Sequence, residues 1–189
     1  REIEKDLVFP LLRGKEVSRW SAHPKYWQND TQDPETPTGY PEDWMESNLP
    51  NTYDYFEEFR DELGQRKSSS VRALMERGAF YSMFAIGPYT FKPHKVVWKY
   101  IASEMTCAVV STHMDSFLGE RLVIPDCKLM LVPFELESDA HFVCAILNSS
   151  ISRFVVKAYC VGTQLAPHIL NNIAIPKYNS LNTVHRELS

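Results

Sequence analysis

Asp6-Leu7-Val8-Phe9-Pro10-Leu11-Leu12-Arg13-Gly14-Lys15-Glu16-Val17-Ser18-Arg19-Trp20 opens on an apolar run and closes on three cations and an indole within eight residues. The run from Leu7 to Leu12 reads as a buried strand. Gly14 permits a turn that re-aims the flanking basic side chains. Arginine and lysine beside an aromatic ring suit a phosphate backbone, where cations hold charge and rings or guanidinium planes stack. The same composition fits a buried strand followed by a solvated turn.

With 189 residues, 44% hydrophobic and 23% charged, the chain can bury a substantial core as one domain, or one domain with a small lobe. No apolar run reaches the length of a membrane span, and no signal-peptide pattern opens the sequence. The cysteines at 107, 127, 144 and 160 are widely spaced without a C-x-x-C pair. That argues against zinc or a disulfide framework and fits a reducing cytoplasm. The net charge of −4 is uneven: residues 29–63 carry eleven acids against one base, whereas residues 64–128 carry nine bases against five acids. Binding to nucleic acid depends on local potential, so the acidic balance does not exclude it.

Along the chain, the Pro/Asp/Asn/Thr-rich segment 21–50 reads as an irregular loop insertion pinned by Trp27, Tyr40 and Trp44. Asn51 or Thr52 caps an expected helix over 53–65, with Tyr55, Phe56, Phe59 and Leu63 as its apolar stripe. A short helix capped near Ser70 runs to Arg77. Strands are expected at 80–86, 95–101, 106–111, 128–134 and 173–176. Helices are expected at 138–148, 151–159 and 166–172, with a small-residue loop at 161–164 and a tail, or the start of a following segment, at 180–189. The fold class is α+β, a small mixed sheet with flanking helices. Strand alternation places Lys95, Val97 and Lys99 on one face as a basic row, and Val96, Trp98 and Tyr100 on the core face. Residues 112–120 read as a polar loop in which His113, Asp115, Ser116 and the following Arg121 present donors and acceptors suited to base edges. The His113/Asp115 pair lacks a third ligand or a nucleophile nearby, so neither a metal nor a triad is expected.

Leu11-Leu12-Arg13-Gly14-Lys15-Glu16-Val17-Ser18-Arg19-Trp20 resembles the opening of the target-recognition domain of TaqI-like adenine DNA methyltransferases and type IIG restriction-modification enzymes. Further matches follow in order: Leu63 and Arg66, Phe80-Tyr81, Lys95-Val96-Val97-Trp98, residues 145–150 (Ala-Ile-Leu-Asn-Ser-Ser) and Ile175-Pro176-Lys177-Tyr178. The resemblance covers residues 6–179 and implies one DNA-specificity domain over 1–179. An upstream methyltransferase domain of the same polypeptide would bind S-adenosylmethionine and methylate a flipped adenine. It also implies that Arg66 and the Phe80-Tyr81 pair lie near the DNA side, so that Arg66, Lys67 and Arg72 either contact phosphate or are plain surface. In this chain itself there is no Gly-rich loop after a strand and no Asn-Pro-Pro-Tyr/Phe motif, so no catalytic residue and no cofactor are expected here. Double-stranded DNA is the expected partner. Arg13, Lys15, Arg19, Lys92, Lys95 and Lys99 would position its backbone, and His113, Asp115 and Arg121 would read bases. The alternative is a protein-interaction or scaffold domain that docks a partner through the acidic 29–63 segment.

Overall fold

The computed structural model describes residues 2–36, 38–160 and 162–189; Pro37 of the expected loop insertion and Val161 of the expected small-residue loop lie outside them. In chain order the elements are β1 (Val8–Leu12), β2 (Val17–Ser18), β3 (Ser21–Ala22), β4 (Tyr26–Asn29), α1 (Glu42–Asn48), α2 (Pro50–Glu57), α3 (Arg60–Gly64) and α4 (Ser69–Met75). They continue as β5 (His94–Lys99), β6 (Cys107–Val110), β7 (Thr112–Asp115), β8 (Gly119–Leu122), β9 (Ile124–Pro125), β10 (Leu129–Phe134), α5 (Glu137–Leu147), α6 (Ser150–Tyr159) and α7 (Thr183–Glu187). The architecture is α+β, with small sheets and flanking helices. The chain divides into two compact units, one of residues 1–9 and 27–91, the other of residues 10–26 and 92–189.

The first unit is built mainly from helices and turns, with residues 27–29 of β4. Leu7, Met45, Leu49, Ala79, Phe80 and Tyr81 form its buried centre, with Tyr40, Tyr53, Phe56 and Leu63 packed against them. Segment 21–50 is more ordered than expected: it contains β3, β4 and α1, and Tyr40 stacks on Trp44 with ring centroids 4.2 Å apart. The helix expected over 53–65 starts earlier and breaks at residues 58–59 into α2 and α3. Its cap is not Asn51 or Thr52. Glu4, from the distant N-terminal segment, accepts from both residues' backbone N–H groups at 3.0 and 2.7 Å. Residues 80–86 form no strand. Phe80 and Tyr81 are core residues, Ser82 closes a turn on the Ala79 carbonyl, and Gln32 Oε1 accepts from the Met83 N–H, so side chains satisfy backbone groups that a ladder would otherwise use. Arg66 donates to the carbonyls of Leu63, Ser82 and Phe80, a brace inside this unit and not a phosphate contact.

The second unit has β5 at its centre, antiparallel to β10 on one side and to β6 on the other. Helices α5 and α6 cover one face, where Val96, Trp98, Cys107, Ala140, Cys144 and Leu147 pack together. Leu12, Val17, Val97, Ala108, Val123 and Leu129 cover the other. A strand covered on both faces reads as a continuous apolar run, here Val96-Val97-Trp98, rather than as an alternation. Leu12 reaches this core through β1, which pairs in parallel with β9 at Leu11↔Ile124 and Leu12↔Pro125. Residues 112–122 are not a loop but a hairpin of β7 and β8. Residues 173–176 form no strand. The expected tail forms α7, whose His185 ring lies 4.4 Å from that of Phe142 on α5. Among the described residues no helix is long and apolar enough to cross a membrane.

Candidate nucleic-acid interface

Three separated segments of the second unit meet at the end of β5. Leu12 and Val17 are buried and anchor the single 3-10 turn Gly14–Glu16 between them. Glu16 reaches back so that its carboxylate accepts the Arg13 N–H at 3.0 Å. Arg13 in turn lays its guanidinium over the Tyr26 ring at 3.5 Å from the centroid. Lys99 ends β5, opposite Leu129 in the antiparallel register. The Tyr100 N–H donates to the Lys128 carbonyl at 3.0 Å, so the pairing carries Lys128 beside Lys99. The Asp126 N–H donates to the Leu12 carbonyl at 2.8 Å and ties the third segment to the first.

The result is an open cleft of about 460 Å³ lined by Arg13, Gly14, Lys15, Lys99, Ile101, Asp126 and Lys128. Four cations and one carboxylate line it; Asp126 accepts from the Lys128 N–H at 3.2 Å, and Arg13 also pairs with Glu16 at 3.8 Å. A β-carbon on Gly14 would lie 3.8 Å from Lys99 Cγ, so the turn backbone passes directly against the lysine stem. Clustered cations of this kind suit a row of phosphates.

Of the six side chains expected to position a DNA backbone, Arg13, Lys15 and Lys99 come together here. Arg19 lies apart, its guanidinium held at 2.7 Å by the Asn148 carbonyl. Lys92 is paired with Glu135 at 2.5 Å. Lys95 corrects the expected basic row. Its face of β5 is covered, the residue is fully buried, its ammonium donates to the Lys92 carbonyl at 2.8 Å, and burial pushes its pKa down to about 8. Lys128 and Asp126 went unnoticed in the sequence. The available signal was pairing: antiparallel strands at 95–101 and 128–134, aligned by their valines, bring the two lysines together.

The base-reading candidates share the β7–β8 hairpin, with His113 directly opposite Arg121. Asp115 is occupied: its carboxylate accepts the Phe117 and Leu118 N–H groups at 2.8 Å each, bonds that hold its pKa below the ordinary carboxylate value and fix the turn. Gly119 closes that turn at φ +73°. Arg121 differs, because its Nε is buried with no hydrogen-bond partner among the described residues. The residues present do not fit an S-adenosylmethionine cradle. Among the described residues β10 is the strand that runs directly into an α-helix, and it does so through Glu135 and Leu136, without glycine and into an acidic first turn.

No family model matches the chain. It is 26% identical over 154 residues to the type II methyltransferase M.NspV of Nostoc sp. (strain ATCC 29411 / PCC 7524). That similarity takes in 80% of this chain but only 29% of the methyltransferase, so the chain spans less than a third of the length of this relative.

Proposed function

We propose that this chain is the DNA-specificity domain of a larger adenine-specific, S-adenosylmethionine-dependent DNA methyltransferase or restriction-modification enzyme of the prokaryotic cytoplasm. The observation that carries the proposal is the cleft in which Arg13, Lys15, Lys99 and Lys128 converge from three segments. The partial similarity to a type II methyltransferase supports it, since a specificity domain accounts for a fraction of such an enzyme. In this reading the cleft holds the phosphates of one strand and sets register, while Arg121 donates to a base edge in the groove, guanine being the usual acceptor for an arginine. Cofactor binding and methyl transfer belong to the remainder of the polypeptide.

Affinity selection from a random duplex pool, followed by binding measurements on variants, tests this. Lys15→Ala, Lys99→Ala and Lys128→Ala are each expected to weaken binding to every duplex alike and to lower the salt slope by about 1. Arg121→Ala is expected to relax preference at one position, at roughly 1–3 kcal/mol of lost discrimination. A triple lysine variant that binds as well as the parent chain would end the cleft reading. An unchanged recognition sequence in Arg121→Ala would end the role given to that residue.

A further inference from the structure

Trp20 differs from the other aromatic residues in its backbone. It is the second residue of the two-residue turn, Arg19-Trp20, that joins β2 to β3, where Ser18 pairs with Ser21. Its φ is +72°. A side chain bearing a β-carbon is strained there, and folding alone would favour glycine or asparagine. The indole does not compensate within the fold: it is 55% exposed and belongs to none of the three buried clusters. The backbone bond at this position, from the Trp20 N–H to the Cys107 carbonyl at 2.9 Å, is one that glycine would make equally well.

The turn is also clamped. Asn148 is buried, and its side chain accepts from the Cys107 N–H and donates to the Cys107 carbonyl, both at 2.9 Å. Its own carbonyl holds Arg19, whose guanidinium carbon lies 5.4 Å from the centroid of the Trp20 indole. Arg19 and Trp20 are thus fixed to one buried Asn–Cys pair while the ring projects outward. The 3-10 turn that carries Lys15 leads directly into β2, so ring and cleft lie on one continuous stretch of chain. Strain retained at an exposed, rigidly held residue points to a contact made outside the fold.

We infer that Trp20 is a stacking surface for an unpaired nucleobase of DNA whose backbone lies in the Arg13–Lys15–Lys99–Lys128 cleft, an inference that rests on the proposed DNA-binding role. Paired bases already stack on both faces, so an indole of this kind needs a base that has left the stack.

The test uses the full chain, Trp20→Gly and Trp20→Tyr, thermal melting, and binding to a mixed-sequence duplex carrying one unpaired adenine and to its fully paired counterpart. The parent chain is expected to prefer the bulged duplex. Trp20→Gly is expected to melt at or above the parent, because glycine takes φ +72° freely, and to lose the preference, with affinity for the bulged duplex falling roughly 5- to 150-fold. Trp20→Tyr is expected to keep most of it. If the parent binds both duplexes alike, or if Trp20→Gly melts lower and keeps its preference, the stacking role is overturned and the cleft stands. If the parent binds neither duplex, the cleft reading falls and the stacking role falls with it.

Discussion

Asp30 carries its carboxylate in the interior of the first unit. The residue is fully buried; Oδ1 accepts from the Gln32 N–H at 3.1 Å, while Oδ2 is buried with no hydrogen-bond partner among the described residues. Burial lifts the pKa to about 6, and the single Gln32 bond opposes that rise only in part. A carboxyl whose folded pKa lies above its unfolded value favours folding in the protonated form. That contribution is fully present below pH ~4 and is lost as pH rises through about 6, an upper limit of ~3 kcal/mol. Asp30→Asn keeps the acceptor and removes the charge. In chemical denaturation at a series of pH values, the variant should gain on the parent between pH ~4 and ~6 and hold that advantage at pH 7. A pH-independent difference between the two proteins would contradict the assignment. Lys95 makes the same point about charge and position: a lysine on the covered face of a central strand is part of the interior, whereas Lys99, four residues on at the strand end, lines an open cleft.

At the scale of the element, α2 shows how a short helix depends on a remote residue. Its eight residues begin with Pro50, and Leu49 at the cap position has no side-chain acceptor. Glu4 supplies both oxygens, to the backbone and side chains of Asn51 and Thr52 at 2.7–3.0 Å. Burial by itself would raise the Glu4 pKa. The hydrogen bond from the Thr52 side chain, with others from the backbone of Glu4, Asn51 and Thr52, instead brings it down to about 2. A depressed carboxylate stabilises the fold above its unfolded pKa, and the effect is lost as pH falls from ~4.5 towards ~2. Glu4→Gln should therefore cost about 1 kcal/mol at pH 7, the value of an ordinary cap. The cost should shrink steadily over that acid window, which urea titration at several pH values would reveal. The β7–β8 hairpin follows the same rule, for the Asp115 carboxylate is consumed in forming its turn.

For the whole molecule, net charge and local charge point in opposite directions. The chain is at −4, yet four cations against one acid line the cleft. Part of the acidic segment is neutralised within the first unit, where Arg60 bridges Glu42 at 2.5 Å and Glu57 at 2.7 Å and lies over the Phe80 ring. Screening acts on exposed contacts, so the affinity of the whole chain for duplex DNA should follow the cleft and not the total. With four phosphates held by the cleft, log affinity should fall against log salt with a slope near −4. A slope near zero, together with loss of a protein partner on neutralising Glu57, Glu58 and Asp61, would favour the docking alternative.

The α+β class, the strand at 94–99 with its antiparallel neighbours, the two helices around residues 137–159 and the cationic turn at 13–15 were all legible from hydrophobic period, caps and composition, because those signals are local. The helix at 42–48 was hidden by the prolines that flank it. Phe80 and Tyr81 looked like a strand because aromatic residues suit one, but their burial against Met45 and Leu49 is served equally well by turns. Which lysines meet was beyond local signals. Lys95 and Lys99 have the same chemistry and lie on the same face of one strand. The first is fully buried within the strand, while the second, at the strand end, lines the cleft beside Lys128. Period and propensity depend on neighbours in sequence and so could be read directly. Burial and charge convergence depend on segments far apart in sequence, such as those of Lys15, Lys99 and Lys128, and only tertiary packing decided them.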